Sequence, residues 1–275
     1  MINLLFCGND KVFDGVLTTT LSILMRSKLE EPIKIHIFTM DVSRIKDTYL
    51  PISDESISKL NEVVKKYNPD NAVVKYDVTE TYEKEFGHCP NEGAYCSPYT
   101  LIRLFADMYL DCERLLYLDA DLMFNRGLEL LYYTDLEGYE YAAARDHYGK
   151  YLLNPNYINA GVLLFNMKEC AKTGIFGKAR DKIREKKLTF ADQDALYKST
   201  SRKKMLPQRY NDQKFLHDHT VIRHFSKRLF YLPYPHTDNI KQYHIDRVHK
   251  VFGYHQFDDI YEEYTKILNT SGENK

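Results

Sequence analysis

An apolar, strand-like run that ends in two acidic residues is the feature that most constrains the fold of this chain. Residues 115–118 predict a buried strand, and Asp119-Ala120-Asp121 follows it directly. In open α/β sheets, ligands bind at the carboxyl ends of the strands. Side chains at positions i and i+2 of an extended segment point the same way, so both carboxylates would face one side of the chain. Two such oxygen donors suit Mg²⁺ or Mn²⁺, and a divalent ion there would hold a diphosphate.

Strand-like and helix-like periods alternate along the rest of the chain. Strands are predicted over residues 3–7, 33–40, 72–78, 115–118, 141–144, 157–166 and 221–225, and helices over residues 13–25, 54–67, 98–110, 168–185, 192–199 and 258–268. Such alternation predicts βαβ units, and hence an α/β fold with a mostly parallel, Rossmann-like sheet flanked by helices. Residues 229–275 are less regular, and residues 269–275 are predicted to be disordered.

Composition limits the class of partner and the compartment. The chain has 275 residues with 38 basic and 39 acidic side chains, a balance that argues against a nucleic-acid partner. The odd number of cysteines and the absence of a C-x-x-C pair predict neither a disulfide framework nor a cysteine-based zinc site, and they favour a reducing compartment. No signal peptide or transmembrane segment is predicted. We therefore expect a cytoplasmic protein, with peripheral contact at the inner face of the membrane and the oligomeric state left open.

Five blocks of the sequence resemble, in the same order, the motifs of one enzyme family. The blocks are SPYTLIRLFADMYL (97–110), LLYLDADLMF (115–124), YINAGVLLFNM (157–167), FADQDAL (190–196) and RHF (223–225). Together they resemble glycosyltransferase family 8, the retaining transferases that include bacterial lipopolysaccharide galactosyl- and glucosyltransferases and glycogenin. The resemblance implies a GT-A nucleotide-diphospho-sugar transferase fold. It also implies a catalytic domain over residues 1–228, with residues 229–275 as an extension packed on the same domain.

The resemblance implies a metal site, usually for Mn²⁺, made by the two aspartates and a late histidine. Asp119 and Asp121 are the expected carboxylate ligands, and both carboxylate and imidazole suit manganese. His224 is the expected third ligand. His219 is its main competitor, because it lies close to His224 in the sequence.

The resemblance also implies a lysine on the donor diphosphate. Relatives often carry a Gly-x-x-Lys-Pro-Trp run after the histidine, whereas this chain has Ser226-Lys227-Arg228 at that point. Lys227 is the expected cation, and Arg228 stays open as the alternative. Both would be ordinary surface cations if the resemblance did not extend this far.

The first strand–helix turn is expected to hold the nucleoside of a UDP-sugar. Glycine at Gly8, between Cys7 and Asn9, allows the backbone to approach a ring closely. The side-chain amide of Asn9 can hydrogen-bond the imide edge of uracil. Ala120, between the two aspartates, is expected to offer its backbone to the nucleoside.

Arg103, Asp146, Asn159, Asp192 and Gln193 are implied to surround the donor sugar. Retention of configuration can follow from two inversions through an enzyme nucleophile, or from attack on the face from which the leaving group departs. Gln193 lies where the family has the group nearest the reacting face, and an amide is a poor nucleophile, so we favour same-face attack. Asp146 is the backup nucleophile.

Two of these residues have structural alternatives. Arg103 would pair with Asp107 at i+4 if it lay on a helix surface. Asp192 would be the N-cap of the helix that follows it. Either role would explain the residue without a bound sugar.

The sequence therefore predicts a metal-dependent retaining hexosyltransferase that uses UDP-glucose or UDP-galactose. The expected acceptor is a glycan or glycolipid, such as lipopolysaccharide or another cell-surface polysaccharide, contacted by residues 148–155 and 231–256. Alternatives are a sugar-phosphate nucleotidyltransferase and a non-catalytic nucleotide-sugar- or carbohydrate-binding protein. A nucleotidyltransferase would need a Gly-rich basic loop after the first strand, which residues 7–13 lack. A binding protein would not need the acidic pair and the late histidine.

Overall fold

A seven-stranded sheet forms the centre of the protein in a computed structural model, which describes residues 1–93, 97–200, 202–232 and 234–272. The strands are β1 (Ile2–Cys7), β2 (Ile33–Thr39), β3 (Ala72–Asp77), β4 (Arg114–Leu118), β5 (Leu122–Phe124), β6 (Tyr141–Ala144), β7 (Val162–Asn166), β8 (Lys203–Leu206), β9 (Ile222–His224), β10 (Arg228–Phe230) and β11 (His236–Asp238). The order in the main sheet is β3-β2-β1-β4-β7-β6-β8, and β5–β9 and β10–β11 form two small sheets. Only β7 runs antiparallel to its neighbours in the described main sheet, so the sheet is mostly parallel, as predicted.

Helices cover both faces of this sheet. They are α1 (Phe13–Arg26), α2 (Asp54–Tyr67), α3 (Thr79–Phe86), α4 (Ala106–Tyr109), α5 (Glu129–Tyr132), α6 (Gly149–Leu152), α7 (Met167–Thr173), α8 (Ile175–Glu185), α9 (Ala191–Ser199), α10 (Ile245–Phe252) and α11 (Asp258–Gly272), with 3-10 helices at Asp10–Val12, Pro98–Phe105 and Gln208–Tyr210. Within the described ranges, no helix is both long and apolar enough to cross a bilayer.

The central strands are apolar on both sides because both sides are covered. In β4, Leu116 and Leu118 join the core cluster that also contains α1, whereas Leu115 and Tyr117 join the cluster that contains α8. Alternate side chains of a strand point to opposite faces, so a strand in the middle of three layers has no polar side. This explains why the run before Asp119 is uninterrupted.

The structure corrects the predicted bounds of several elements. The predicted helix over residues 98–110 is a 3-10 helix, Pro98–Phe105, followed by the short α4, and its aromatic and β-branched residues favour an α-helix only weakly. The predicted helix over residues 168–185 is divided at Gly174, whose φ of 66° ends α7 and precedes α8. The predicted strand over residues 157–166 is shortened to β7, because residues 157–161 form the loop that supports the site described below.

Two further predictions concern residues near or outside the described ranges. The predicted disorder of residues 269–275 is wrong for 269–272, which continue α11, and residues 273–275 lie outside the described residues. Among the predicted free cysteines, Cys7, Cys89, Cys112 and Cys170 are unpaired thiols, and Cys96 lies outside the described residues.

The C-terminal region shares the core of the rest of the chain. Ile240, Val248 and Phe257 belong to the same buried cluster as β1 and α1. The guanidinium of Arg26 in α1 donates to both carboxylate oxygens of Asp259, at 2.7 Å each. These contacts hold α10 and α11 against α1 and the main sheet.

Helix α1 lies directly against the turn that joins β4 to β5. A Cβ atom added at Gly15 would lie 2.0 Å from the carbonyl oxygen of Ala120. The hydroxyl of Thr19 donates to the carbonyl of Leu122 at 2.8 Å, and the hydroxyl of Ser22 accepts from the N–H of Phe124 at 3.0 Å. Helix α1 therefore fixes the backbone on which Asp119 and Asp121 stand.

We expect Gly15→Ala to lower the free energy of unfolding by about 1–3 kcal/mol, because the added methyl group would force α1 away from the turn. The matched control is Gly177→Ala in α8, where the nearest atom to an added Cβ is the Arg180 guanidinium at 3.9 Å. That change should stabilise the protein by roughly 0.5–1 kcal/mol, as alanine favours a helix. Urea unfolding measures the free energy of unfolding of both variants. Equal changes in that free energy would contradict the close approach of α1 at Gly15 to the carbonyl of Ala120.

Candidate active site

Two aspartates and a histidine meet at the carboxyl end of β4. Asp119 and Asp121 lie in the turn between β4 and β5, not in the extended segment that the sequence suggested. His224 ends β9, and β9 pairs with β5 so that His224 stands opposite Leu122. The Nε2 atom of His224 lies 3.0 Å from Asp121 Oδ1 and 4.0 Å from Asp119 Oδ2. The alternative histidine, His219, is exposed and stacks on another histidine ring.

The residues present fit a divalent ion. One atom from each of the three side chains lies within 4.8 Å of the others. Gly161 leaves the space for them, since a Cβ there would lie 2.4 Å from His224 Cε1 and 2.9 Å from Asp119 Oδ2. Two carboxylates and one imidazole form a donor set suited to Mn²⁺.

A chain of side-chain amides fixes which nitrogen of His224 carries its proton. The backbone N–H of Gly161 donates to Oδ1 of Asn159, so this oxygen is an acceptor. Asn211 must therefore donate to it with its Nδ2, at 2.8 Å. The remaining Oδ1 of Asn211 faces Nδ1 of His224 at 2.9 Å and requires a proton there. Nε2 of His224 is then the nitrogen that faces the aspartates, where it can donate to Asp121 and, without its proton, would offer its lone pair to a metal ion.

Asn211 is a candidate site residue that the sequence reasoning missed. Its side chain is fully buried, at 0% exposure, between His224 and Asn159. In the sequence it follows Tyr210 within an ordinary turn-like segment, and no spacing rule connects it to the acidic pair. The bridge of Asp212 to Arg223 in β9 brings it beside the imidazole.

We expect Asn211→Leu to weaken Mn²⁺ binding roughly 10–100-fold, as loss of a partner that orients a metal ligand usually does. Isothermal titration calorimetry with Mn²⁺ in the presence of UDP measures this. Asn125→Leu is the matched control, because Asn125 also bonds through its side chain, to the carbonyl of Thr220, but takes no part in the amide chain. Equal Mn²⁺ affinity of the Asn211→Leu variant and the unaltered protein would rule out the orienting role.

A cavity of about 430 Å³ opens beside the aspartates, a volume in the range of small-molecule sites. Every residue expected at the nucleoside and the acidic pair lines it, namely Cys7, Gly8, Asn9, Asp119, Ala120 and Asp121. Three lysines also line it, Lys11, Lys46 and Lys241. The cavity therefore combines carboxylates on one wall with several cations around it, which suits a metal-bound diphosphate.

Lys241 is the second residue that the sequence reasoning missed. Its ammonium lies 2.6 Å from Asp121 Oδ2, opposite His224 on the same carboxylate. The buried side chain of Gln242 holds this segment in place by donating to the carbonyls of Ala120, at 2.9 Å, and Gly15, at 3.2 Å. The triplet Lys241-Gln242-Tyr243 resembles the expected Lys-Pro-Trp, separated from His224 by the β10–β11 hairpin, and that is the signal that could have revealed it.

The two cations first considered lie elsewhere. Lys227 is exposed, and it is not among the described residues that line the cavity. The guanidinium of Arg228 stacks over the rings of Phe230 and Phe252, at 5.3 and 5.4 Å from their centres. Lys241 is thus the cation nearest the acidic pair among these three.

Electrostatics keep the site ionised. Burial opposes the ionisation of Asp121, but Lys241 and His224 outweigh it and hold the pKa of its carboxyl below the usual value. Burial raises the pKa of the Cys7 thiol, so this side chain stays protonated. Asp121 is therefore a carboxylate at neutral pH, and Cys7 is no nucleophile.

Arg103 is buried behind the acidic pair, and its guanidinium bonds on every side. It donates to the carbonyl of Ala160 at 2.6 Å and pairs with Asp119 and Asp192 at 3.2 Å each. The helix-surface pair with Asp107 does not form, because Asp107 pairs with Arg180 at 2.6 Å. Arg103 thus connects the turn between β4 and β5, through Asp119, with the first turn of α9, through Asp192.

Asp192 is not the N-cap that the sequence allowed. Helix α9 begins at Ala191 with Phe190 before it, so Asp192 lies in the first turn. Burial raises the pKa of its carboxyl, and the charge of Arg103 partly offsets this. The aspartate therefore depends on Arg103 to remain ionised.

The remaining predicted donor-sugar residues lie in the hydrogen-bond network that reaches His224 through Asn211 and Asp119 through Arg103. Asn159 donates to Oδ2 of Asp146 at 2.9 Å, and Oδ1 of Asp146 accepts from the N–H of Gly149 at 2.7 Å. The amide oxygen of Gln193 accepts from the N–H of Ala160 at 2.9 Å. These residues do not line the 430 Å³ cavity itself and form the wall behind Asp119 and His224.

The predicted nucleoside turn is tightly packed. A Cβ at Gly8 would lie 2.3 Å from a methyl group of Val12. The amide of Asn9 already donates to the carbonyl of Thr48 at 3.2 Å and accepts from the N–H of Lys11 at 3.2 Å. The turn is therefore held in shape by Asn9, and its remaining lone pair is the part of this side chain that could meet a base.

Comparison with known proteins places this site in a family. The family model described as Glycosyl transferase family 8 matches residues 3–228. The chain belongs to glycosyltransferase family 8. Membership supports the prediction that the protein is a transferase, and it confirms the resemblance seen in the five sequence blocks.

Individual members of the family are distant in sequence. The chain is 27% identical over 197 residues to glycosyltransferase GlyA of Streptococcus pneumoniae serotype 4, which covers 70% of this chain. The matched region makes up only 25% of the length of GlyA. The chain thus spans between a quarter and a half of the length of the curated relatives that it matches.

Solved structures of other glycosyltransferases share the fold. GlyE of Streptococcus pneumoniae TIGR4 superimposes with a TM-score of 0.67 at 18% identity, covering 98% of this chain and 63% of GlyE. Galactosyltransferase LgtC, solved with donor and acceptor sugar analogues, gives a TM-score of 0.65 at 16% identity, covering 98% and 96% of the two chains. These similarities confirm the predicted GT-A fold.

Proposed function

We propose that this protein is a metal-dependent retaining hexosyltransferase that moves glucose or galactose from a UDP-sugar to a glycan acceptor. The observation that carries the proposal is the meeting of Asp119, Asp121, His224 and Lys241 beside one cavity of about 430 Å³. A nucleotidyltransferase or a binding protein has no comparable support among the described residues. The division into a catalytic domain over residues 1–228 and an extension over 229–275 is part of the same proposal.

The chain supplies three ligands and a cation for the donor diphosphate. A bound Mn²⁺ or Mg²⁺ would offer Lewis-acid stabilisation of the charge that develops on the leaving UDP. Asp119, Asp121 and His224 would hold the ion, and Lys241 would place a positive charge on the diphosphate. Preorganised cations of this kind need no rearrangement as the charge develops.

The contacts of Asp146 and Gln193 favour attack on the same face as departure. Both carboxylate oxygens of Asp146 accept hydrogen bonds from neighbouring groups, which makes it a poor nucleophile. The amide oxygen of Gln193 is fixed by the N–H of Ala160 and would stabilise a positive sugar centre by its dipole. We assign Arg103 a positioning role, since its guanidinium is fully occupied by Asp119, Asp192 and backbone carbonyls.

We place the acceptor at the irregular segments near the site. In residues 148–155, Tyr151 and Leu152 are 77% and 79% exposed, and in residues 231–256, Leu232 at the hairpin tip is 83% exposed. Exposed aromatic and apolar side chains suit the ring faces of a sugar or the edge of a glycolipid. Lipopolysaccharide or another cell-surface polysaccharide fits this surface, and the cytoplasmic location stays a prediction.

The decisive experiment measures UDP release from a panel of UDP-sugars, with Mn²⁺ and with EDTA. We expect slow Mn²⁺-dependent hydrolysis of UDP-glucose or UDP-galactose, abolished by Asp121→Ala. Because water serves as the acceptor, no glycan needs to be known. Absence of release from every UDP-sugar, together with absence of Mn²⁺-dependent UDP binding by calorimetry, would overturn the proposal.

We expect Lys241→Ala to weaken UDP binding in the presence of Mn²⁺ roughly 10–100-fold, the usual effect of losing a hydrogen bond to a charged group. Binding of Mn²⁺ alone should not weaken, because removal of the ammonium frees an oxygen of Asp121. The matched control is Lys227→Ala, which should leave both affinities unchanged. If Lys227→Ala weakens UDP binding and Lys241→Ala does not, the assignment of the diphosphate cation reverses.

A further inference from the structure

A second cluster of metal-binding side chains lies where α10 joins α11. His249 Nε2 is 2.7 Å from Asp258 Oδ1, and His255 Nδ1 is 3.2 Å from Asp258 Oδ2. One atom from each of the three side chains lies within 4.8 Å of the others. The cluster shares no residue with the site of Asp119, Asp121 and His224.

The backbone brings these residues together by reversing direction over a few residues. Gly253 ends α10 in the left-handed region, with φ of 66°, and its N–H bonds to the carbonyl of His249. The N–H of Asp258 bonds to the carbonyl of His255 at 3.2 Å as α11 begins. The last turn of α10, the connecting loop and the first residue of α11 thus each contribute one side chain.

The donor set is one that zinc prefers. Two imidazole nitrogens and a carboxylate oxygen, with a fourth position for water, are a common arrangement for Zn²⁺. Ligand atoms around a tetrahedral zinc ion with bonds of about 2.0–2.2 Å lie about 3.3–3.6 Å apart. The 3.2 Å between His255 Nδ1 and Asp258 Oδ2 is near this range, whereas the 2.7 Å between His249 Nε2 and Asp258 Oδ1 is a hydrogen-bond distance that would lengthen as an ion enters. The His255 and Asp258 side chains, 66% and 46% exposed, have room to move.

The two histidine rings share one carboxylate. The rings of His249 and His255 stack with centres 4.5 Å apart and planes 24° from parallel, and both direct a nitrogen at the single carboxylate of Asp258. Protonation of both rings would bring two positive charges face to face. One divalent cation bound by two neutral rings and the carboxylate satisfies all three groups without that repulsion.

We propose that His249, His255 and Asp258 form a zinc site, with its fourth position open to solvent. The side chain of Asp258 is 46% exposed, which leaves access for the ion and for water. Zinc bound here fastens the end of α10 to the start of α11. The neighbouring Asp259 is already held on α1 by Arg26, so the ion would hold the C-terminal region to the sheet through that contact.

The chemistry distinguishes this site from the first one. The catalytic cluster has two carboxylates and suits hard cations, whereas two imidazoles favour Zn²⁺ over Mg²⁺ and Mn²⁺. Because the three ligands converge only in the folded chain, zinc should also raise the melting temperature.

The test uses the full-length chain carrying Asp119→Asn and Asp121→Asn, so that the catalytic cluster no longer competes for the ion. Calorimetry with ZnCl₂ should detect one bound zinc ion per chain, and Mg²⁺ should not displace it. His255→Ala in that background should weaken zinc binding at least about tenfold, since even loss of a residue that only orients a ligand costs that much. The zinc-dependent rise in melting temperature should disappear in the same variant.

His219→Ala is the matched control, because His219 also belongs to a pair of stacked, exposed histidines. It should leave zinc affinity unchanged. Asp258→Asn provides a second variant that keeps the size of the side chain, and circular dichroism checks that each variant is folded. No zinc binding by the background protein, or the same affinity in the His255→Ala and His219→Ala variants, would overturn the proposal. Neither result would bear on UDP-sugar hydrolysis.

Discussion

The carboxylate of Asp121 is the point on which the site depends. It is only partly exposed, and a charge removed from water must find partners of opposite charge or good hydrogen-bond donors. His224 occupies one oxygen and Lys241 the other, and these residues come from β9 and from the C-terminal region. Contacts with this one carboxylate therefore bring the β4–β5 turn, the end of β9 and the segment that carries Lys241 together at the edge of the sheet.

Around that carboxylate, each polar group has a fixed direction of donation. The backbone of Gly161 sets the orientation of Asn159, which sets that of Asn211 and in turn requires a proton on Nδ1 of His224. On the other side, Arg103 neutralises the buried Asp192 and braces Asp119. A buried polar network stabilises a fold only when its members have hydrogen-bond partners. Here the members behind the cavity are bonded to one another, and the carboxylates of Asp119 and Asp121 are left to face the cavity.

The residues that sequence reasoning found and those it missed differ in a physical way. Asp119 and Asp121 follow a strand whose pattern is local, so their place at the edge of the sheet could be predicted. Asn211 carries no local pattern, because the bridge of Asp212 to Arg223 puts it in place. Lys241 lies beyond the β10–β11 hairpin, at a distance from His224 that the family spacing does not predict. The same limit explains the helix predicted over residues 98–110: periodicity identified a buried face, but not the tighter 3-10 winding that carries Arg103 inward.

The position of Lys241, after every strand of the main sheet, has a consequence for synthesis on the ribosome. Strands β1 to β9 are complete before Lys241 and Gln242 leave the exit tunnel, and domains begin to fold from the N-terminus as they emerge. A nascent chain at that stage would hold its acidic pair without the lysine, and without the glutamine that anchors it on Ala120. Completion of the site thus waits until Lys241 and Gln242 have been made, and a product terminated before them would carry the sheet with Asp121 lacking its ammonium partner.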